Sequence, residues 1–345
     1  MATTYLVARR GAMYVIQEGT PGTYVAPTQA TDKALRVMEV TYALADAGGP
    51  QRVEDDLTPY GGGQIPILDG IAAKVTARLR VPSWPGTQPH DEASFPAMYA
   101  LLASMPVTIA TSSELVVSPS STYVAGTSPE PVSVTILTAG GNAIALRGCC
   151  AVIESIETGD VALEMQVAIY GNVQATIGNT VQTLSGAGLT IADVAYTSGD
   201  NTWVLSRGGT LTLTGLTGSG SYAVRSAAWV PGMVGEHQID RTASHGYTLP
   251  FVGCPQNSAL TLTVTQLDAS GAAWEDDMLA QTACSAASLS WGSSAARFAL
   301  ALGSNNRIVS VTPGEDAGVR TFDVELVGAA GSAGNDQWSM TWGTP

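Results

Sequence analysis

Lysine is almost missing from this chain: Lys33 and Lys74 are the only two in 345 residues, and the formal net charge is −14. Tight binding of a phosphate backbone needs clustered Lys and Arg, so the composition argues against it. Charge of either sign is scarce, at 13% of residues against a usual share of roughly 25%. Such a surface suits a chain that hides much of itself against its own copies, and equally an ordinary stable β protein. The three histidines, His90, His237 and His245, stand at no metal-ligand spacing from a Cys or from each other. The four cysteines are Cys149, Cys150, Cys254 and Cys284. An adjacent pair is poor geometry for a mutual disulfide, and no disulfide framework is visible, so synthesis in a reducing cytoplasm is expected. No apolar run approaches the roughly 20 residues of a membrane helix. Met1 to Gln17 is broken by Arg9-Arg10 and reads as no signal peptide, so no membrane partner is expected.

What the chain does contain is a β-rich unit written twice. Gln64-Ile65-Pro66-Ile67-Leu68-Asp69-Gly70 leads into an alternating stretch from Ala73 to Val81. Thr248-Leu249-Pro250-Phe251-Val252-Gly253-Cys254 leads into another from Leu260 to Gln266. A helical segment follows each, Ser94 to Met105 and Gly271 to Ala283, and then a strand, a turn and a strand closing on Gly171 or Gly328. A repeat of this length is a duplicated domain, with extra length in the first copy around Ala110 to Gly141. The expected division is residues 1–175, a linker at 176–200 and a second domain at 201–345.

Alternation sets the fold class. Ala73, Val75, Ala77, Leu79 and Val81 share one strand face, and Lys74, Thr76, Arg78 and Arg80 share the other. Leu260, Leu262 and Val264 oppose Thr261, Thr263 and Thr265; Leu163, Met165, Val167 and Ile169 oppose Glu164, Gln166, Ala168 and Tyr170; Phe322, Val324 and Leu326 oppose Asp323 and Glu325. Two-faced strands of this kind build a sandwich or an open barrel, so a mainly β protein of two tandem β-sandwich domains, each with one short α-helix, is expected. Tyr5 to Gln17 and Ala34 to Ala45 read as further strands, and Asn201 to Thr214 as a hairpin. Asp46 to Gly63 is a long polar loop, of the kind that is commonly functional.

No active site is legible, so neither an enzyme nor a cofactor is expected. There is no nucleophile elbow and no phosphate-binding loop; Gly218 to Ser221 reads as a turn. His90-Asp91-Glu92 reads as an exposed loop cluster, and Glu275-Asp276-Asp277 as acids favoured at a helix start. Cys149 and Cys150 read as buried, inert thiols. Trp203, Trp229, Trp274, Trp291, Trp338 and Trp342 read as packing residues; a carbohydrate platform would expose them in a row.

Glu18-Gly19-Thr20-Pro21-Gly22-Thr23-Tyr24-Val25-Ala26-Pro27-Thr28, followed by Asp32 and a strand at Leu35 to Val40, resembles the opening of the tail tube proteins of long-tailed, non-contractile phages. The order of elements over residues 5 to 174 is similar to theirs, and more loosely that over 203 to 342. The resemblance implies β-sandwich domains whose inner sheets join into a closed barrel, stacked as rings into the hollow virion tail tube that conducts DNA during ejection. Two copies per chain imply trimeric rings with pseudo-sixfold symmetry, and the family's partners would be the tape measure, terminator and baseplate proteins. On this reading DNA passes without specific binding. Strand alternation gives Glu164, Gln166, Thr261, Thr263, Thr265, Asp323 and Glu325 as candidate lumen residues. Lys74, Arg78 and Arg80 could pair with Glu164, meet another chain's acids, or face outward. The long loop, with Gly48, Arg52, Glu54, Asp55, Asp56 and Tyr60, is the candidate ring-stacking element. Rival readings are another virion part (a decoration, terminator or baseplate hub protein), a carbohydrate-binding sandwich, or a hydrolase with residues dispersed over loops.

Overall fold

The computed structural model describes residues 11–28, 32–44, 51–53, 65–67, 72–83, 92, 96–120, 129–138, 142–174, 182–183, 203–216, 222–238, 249–266, 273–292, 297–331 and 336–343. The first half contains β1 (Gly11–Gln17), β2 (Ala34–Leu44), β3 (Gln51–Val53), β4 (Ile65–Ile67), β5 (Ala72–Arg80), α1 (Pro96–Ala103), β6 (Val107–Thr111), β7 (Glu114–Pro119), β8 (Val132–Thr138), β9 (Asn142–Thr158) and β10 (Leu163–Val173). A short β11 (Gln182–Thr183) pairs back onto β9. Then follow β12 (Thr210–Thr214), β13 (Tyr222–Val230), β14 (Val234–Glu236), β15 (Phe251–Gly253), β16 (Ser258–Gln266), α2 (Trp274–Leu279), β17 (Ala283–Cys284), β18 (Ala286–Trp291), β19 (Phe298–Leu302), β20 (Asn306–Asp316), β21 (Val319–Gly328) and β22 (Trp338–Gly343).

The protein is mainly β, and the strands of its first half close into a six-stranded barrel in the order β10-β5-β2-β1-β8-β9, with β9 returning to β10. Closure depends on the 17-residue β9, which pairs with β8 near its start and with β10 along the rest. Register shifts at Gln166/Val167 and Tyr170/Asn172 bend this ladder, as extra unpaired residues do. The barrel is filled with side chains: Met13, Val40, Val75, Ala77, Val134, Ile144, Ile153, Met165 and Val167 are all fully buried. A small barrel packed in this way is a core and leaves no channel.

The path β2-β5-β10-β9 in the first half is matched by β13-β16-β21-β20 in the second. Each runs through the same succession of strand, two-stranded ribbon, strand and helix, the ribbons being β3–β4 and β14–β15. A register shift falls at the same point of both units. It lies between Val37 and Glu39, opposite Leu79 and Arg78, and between Val224 and Ser226, opposite Val264 and Thr263. The two units join edge to edge, because Ala228 and Trp229 of β13 pair with Glu157 and Ile156 of β9.

A second sheet, β12-β18-β19-β22-β7-β6, carries the first half's β6–β7 hairpin on the last strand of the second half. It shares one hydrophobic cluster with the larger sheet. Trp229 and Trp338 meet edge to face at 5.1 Å between ring centroids, and the Trp338 indole donates to Pro231 O at 3.0 Å. The Trp342 indole donates to Pro82 O at 3.2 Å, tying the halves together again. The segment from Asn201 to Thr214 is not a hairpin: its one strand, β12, pairs with β18, while Trp203 and Leu205 bridge to Pro82 and Ala162. Each helix ends before its sequence signal does, α1 at Ala103 and α2 at Leu279, and residues 93–95 before α1 and 271–272 before α2 lie outside the described ones.

Candidate lumen face

Alternate residues of a strand point to opposite faces, so pairing partners define rows across a sheet. One row runs Arg80, Glu164, Glu157, Ala228, Thr261, Glu325 and Ser310 through β5, β10, β9, β13, β16, β21 and β20. Flanking rows are Glu39, Arg78, Gln166 and Ser155 in the first half, and Ser226, Thr263, Asp323 and Thr312 in the second. Glu164, Gln166, Thr261, Thr263, Thr265, Asp323 and Glu325 therefore all lie on one side of one continuous sheet. The opposite side carries the core residues Leu79, Met165, Ile156, Trp229, Leu260, Leu262, Phe322 and Val324. Six of the seven polar candidates are half-buried or exposed; Thr265 is buried at 8% beneath the Arg225 guanidinium, whose Nε donates to its hydroxyl at 2.5 Å.

Lys74, Arg78 and Arg80, the cations of β5, find partners within the chain. Arg78 pairs with Glu164 at 2.5 Å, and Lys74 with Glu154 at 3.1 Å. Arg80 stacks over the Trp203 ring at 5.4 Å. Gln166 donates to the other oxygen of Glu154 at 2.6 Å, and Thr263 to Asp323 at 2.7 Å. Glu39, Glu157, Asp323 and Glu325 then have no cationic partner among the described residues, so the face is acidic.

The candidate stacking loop is mostly beyond reach. Gly48, Glu54, Asp55, Asp56 and Tyr60 lie outside the described residues, and Arg52 falls in β3, opposite Pro66 of β4. His90, Asp91, His245 and the Gly218 to Ser221 turn also lie outside them.

Glu18, which opens the Glu18 to Thr28 motif, has a clear structural role. Its carboxylate accepts from Gly22 N at 2.6 Å, Gly148 N at 2.7 Å and the Ser133 hydroxyl at 2.8 Å. Ser133 accepts in turn from Val25 N at 2.8 Å, and the Tyr24 and Thr135 hydroxyls share a hydrogen bond at 2.7 Å. Gly22 and Gly148 both take positive φ, which glycine adopts without strain. The motif is thus a clasp that fixes the loop after β1 to β8 and β9.

Among the described residues, the chemistry-bearing side chains do not converge. All four cysteines are free; burial pushes the Cys149 thiol well up and the Cys150 thiol to about 12. Glu275 and Asp276 are exposed while Asp277 is buried, so the three acids do not share a cleft. Burial holds His237 down at about 4, and its ring stands edge-on to Tyr170 at 5.4 Å. Among the described residues, no three His, Cys, Asp or Glu side chains gather as a metal site, and no helix is long and apolar enough to cross a membrane. Trp229, Trp274, Trp291, Trp338 and Trp342 are buried, which leaves of the six only Trp203, under Arg80, partly open. No protein-family model matches the chain, and no curated protein matches it.

Proposed function

We propose that this chain polymerises as stacked rings into the hollow tail tube of a long-tailed, non-contractile phage, with the acidic sheet face turned to the lumen. The observation that carries the reading is the single continuous face made by two equivalent four-strand units, on which all seven candidate lumen residues lie. A duplicated unit that already joins edge to edge inside one chain is suited to continue the same joint between chains. A face on which Arg78 and Lys74 are neutralised and Glu39, Glu157, Asp323 and Glu325 are not would repel phosphates and let DNA slide. Trimeric rings would then present six units around the axis. The Asp46 to Gly63 segment serves in this reading as the ring-to-ring contact.

Electron microscopy of the purified protein, averaged down the ring axis, tests the proposal. Hollow rings or tubes with three elongated subunits are expected. Compact monomers at every concentration would overturn it. Replacing residues 54–63 with a short turn should leave rings intact and stop them stacking; tubes of normal length from this variant would remove the stacking role.

A further inference from the structure

The ribbon β14–β15 of the second half is strapped across the barrel of the first. It lies over β9 and β10, on the side of the sheet that carries Glu164 and Gln166, and covers Cys150, Val152, Ala168 and Tyr170. Val252 packs against the first three, and Gly235 sits so close to the Tyr170 ring that an added Cβ would stand 2.4 Å from it. Just past the far end of β14, His237 meets the same ring edge-on.

Met233, the residue before β14, fastens the near end. It packs against both the small cluster under the ribbon and the main core. Its thioether also accepts a hydrogen bond from Ile153 N at 3.3 Å. That donor sits at an irregularity of the ladder: Gln166 faces Ser155 and Val167 faces Ile153, so Glu154 is an extra residue on β9. An extra residue disturbs the ladder locally, and here a side chain from the ribbon serves the N–H beside it. Sulfur is a weak acceptor, so the fastening is soft. Met13, Met98, Met105, Met165 and Met340 are fully buried, whereas Met38, Met233 and Met278 are half-buried and within reach of a small oxidant. Of those three, Met233 is the one that packs in the ribbon's cluster.

We infer that Met233 is an oxidation-sensitive pin: conversion of its thioether to the sulfoxide frees the β14–β15 ribbon from the barrel and uncovers the Cys150–Val152–Ala168 patch. The oxidant is hydrogen peroxide. One of its oxygens is transferred to Sδ, so that the S–O bond forms as the O–O bond breaks. Sulfur gives up two electrons, and the other oxygen takes the proton of the first and leaves as water. The product is polar and chiral where the thioether was apolar. With Ile153 N already 3.3 Å from Sδ, an oxygen placed between them forces the sulfur to withdraw. Placed toward either cluster, it enters apolar packing; turned to solvent, it draws the side chain out of both. The inference concerns the chain itself and stands apart from the tube reading.

Dilute hydrogen peroxide on the full chain tests the pin, read by peptide mass spectrometry and by amide hydrogen exchange. Met233 should gain one oxygen before the five fully buried methionines do. Exchange over Val234–Glu236 and Phe251–Gly253 should then quicken about tenfold, the scale of one lost hydrogen bond, while exchange in β18 and β19 stays unchanged. Met233→Leu keeps an apolar side chain of similar volume and has no thioether. Peroxide should leave its ribbon exchange where it was, although Met38, Met278 and Cys254 remain oxidisable in it. Methionine sulfoxide reductase acting on the oxidised wild type should bring slow exchange back. Unchanged ribbon exchange once Met233 is oxidised would overturn the pin. So would an equal response from Met233→Leu, or a Met233 that oxidises no sooner than the buried five.

Discussion

Gly171 lies against Cys149 so closely that a Cβ added to it would stand 2.4 Å from Sγ. The contact falls where the β9–β10 ladder shifts register inside the barrel, between Tyr170 and Asn172. Cys149 is fully buried and cannot swing into solvent. Gly171→Ala is therefore expected to destabilise the chain by about 1–3 kcal/mol, the range for overpacked cores. Cys149→Ala in the same chain should return part of that loss, because it removes the clashing sulfur; Arg147 O and the Cys149 Cβ remain at 3.2 and 3.3 Å. Denaturant midpoints of the two single variants and the double variant check this, and strictly additive losses would show that the contact is not the cause.

The Glu18 clasp makes a second prediction. Removing the carboxylate leaves Gly148 N and the Ser133 hydroxyl without this acceptor in a partly buried site. Hydrogen bonds to charged groups contribute about 1.5–3 kcal/mol each, and an orphaned buried donor costs a similar amount. Glu18→Ala should lower stability by about 3 kcal/mol, and Glu18→Gln by less, since the amide oxygen can still accept. Urea titration measures both, and a loss below about 0.5 kcal/mol for the alanine variant would mean that water replaces the clasp.

How much of this could be read beforehand depended on whether the information was local. Ala73, Val75, Ala77, Leu79 and Val81 are all buried, as their alternation required, because a one-residue slip would exchange the whole face. The same holds for Leu260 to Val264 and for Phe322 to Leu326, and it is why the seven lumen candidates fall on one face. Pairing between distant strands leaves no such trace. The stretch from Ala110 to Gly141 looked like added length, yet it holds most of the hairpin that extends the second half's sheet and the β8 strand that helps close the barrel. The partner of Arg78 depends on which carboxylate the β5–β10 register places opposite, and that register is fixed by the barrel as a whole. Similarly, the clasp role of Glu18 needs Ser133 and Gly148, more than a hundred positions away.

Acid should loosen the ribbon over the barrel. Burial lowers His237 from 6.5 to about 4 in the folded chain, opposed in part by its hydrogen bond to the Ala73 backbone. The Tyr170 ring stands edge-on to it, Lys74 Nζ lies over that same ring at 5.4 Å, and Lys74 is paired to Glu154. Between pH 6.5 and 4 the unfolded chain therefore binds a proton here that the folded chain refuses. The contribution is fully present above pH 6.5 and is lost as pH falls toward 4. Melting temperature should fall across that window more steeply for wild type than for His237→Asn, with the difference between them shrinking as pH drops. Parallel pH profiles would show that His237 does not set the acid limb.

If the polar face lines a tube as proposed, reversing its charge should turn a surface that repels DNA into one that holds it. Thr261 and Glu325 are direct partners in the central row, and both side chains stand clear of the core. Glu325→Lys with Thr261→Lys changes the local charge by three without touching the Leu260, Leu262 and Val324 side of the sheet. Because cation clusters bind phosphates by releasing counterions, tubes of this variant should retain double-stranded DNA at low salt and let it go as salt rises. Wild-type tubes should retain none under the same conditions. The distinguishing control is Glu315→Lys on the exposed β20–β21 hairpin, which adds positive charge away from these rows and should have a weaker effect. Equal retention by all three proteins would place the Thr261–Glu325 row outside the lumen, since only a face that DNA must pass can make its sign felt along the whole length of a tube.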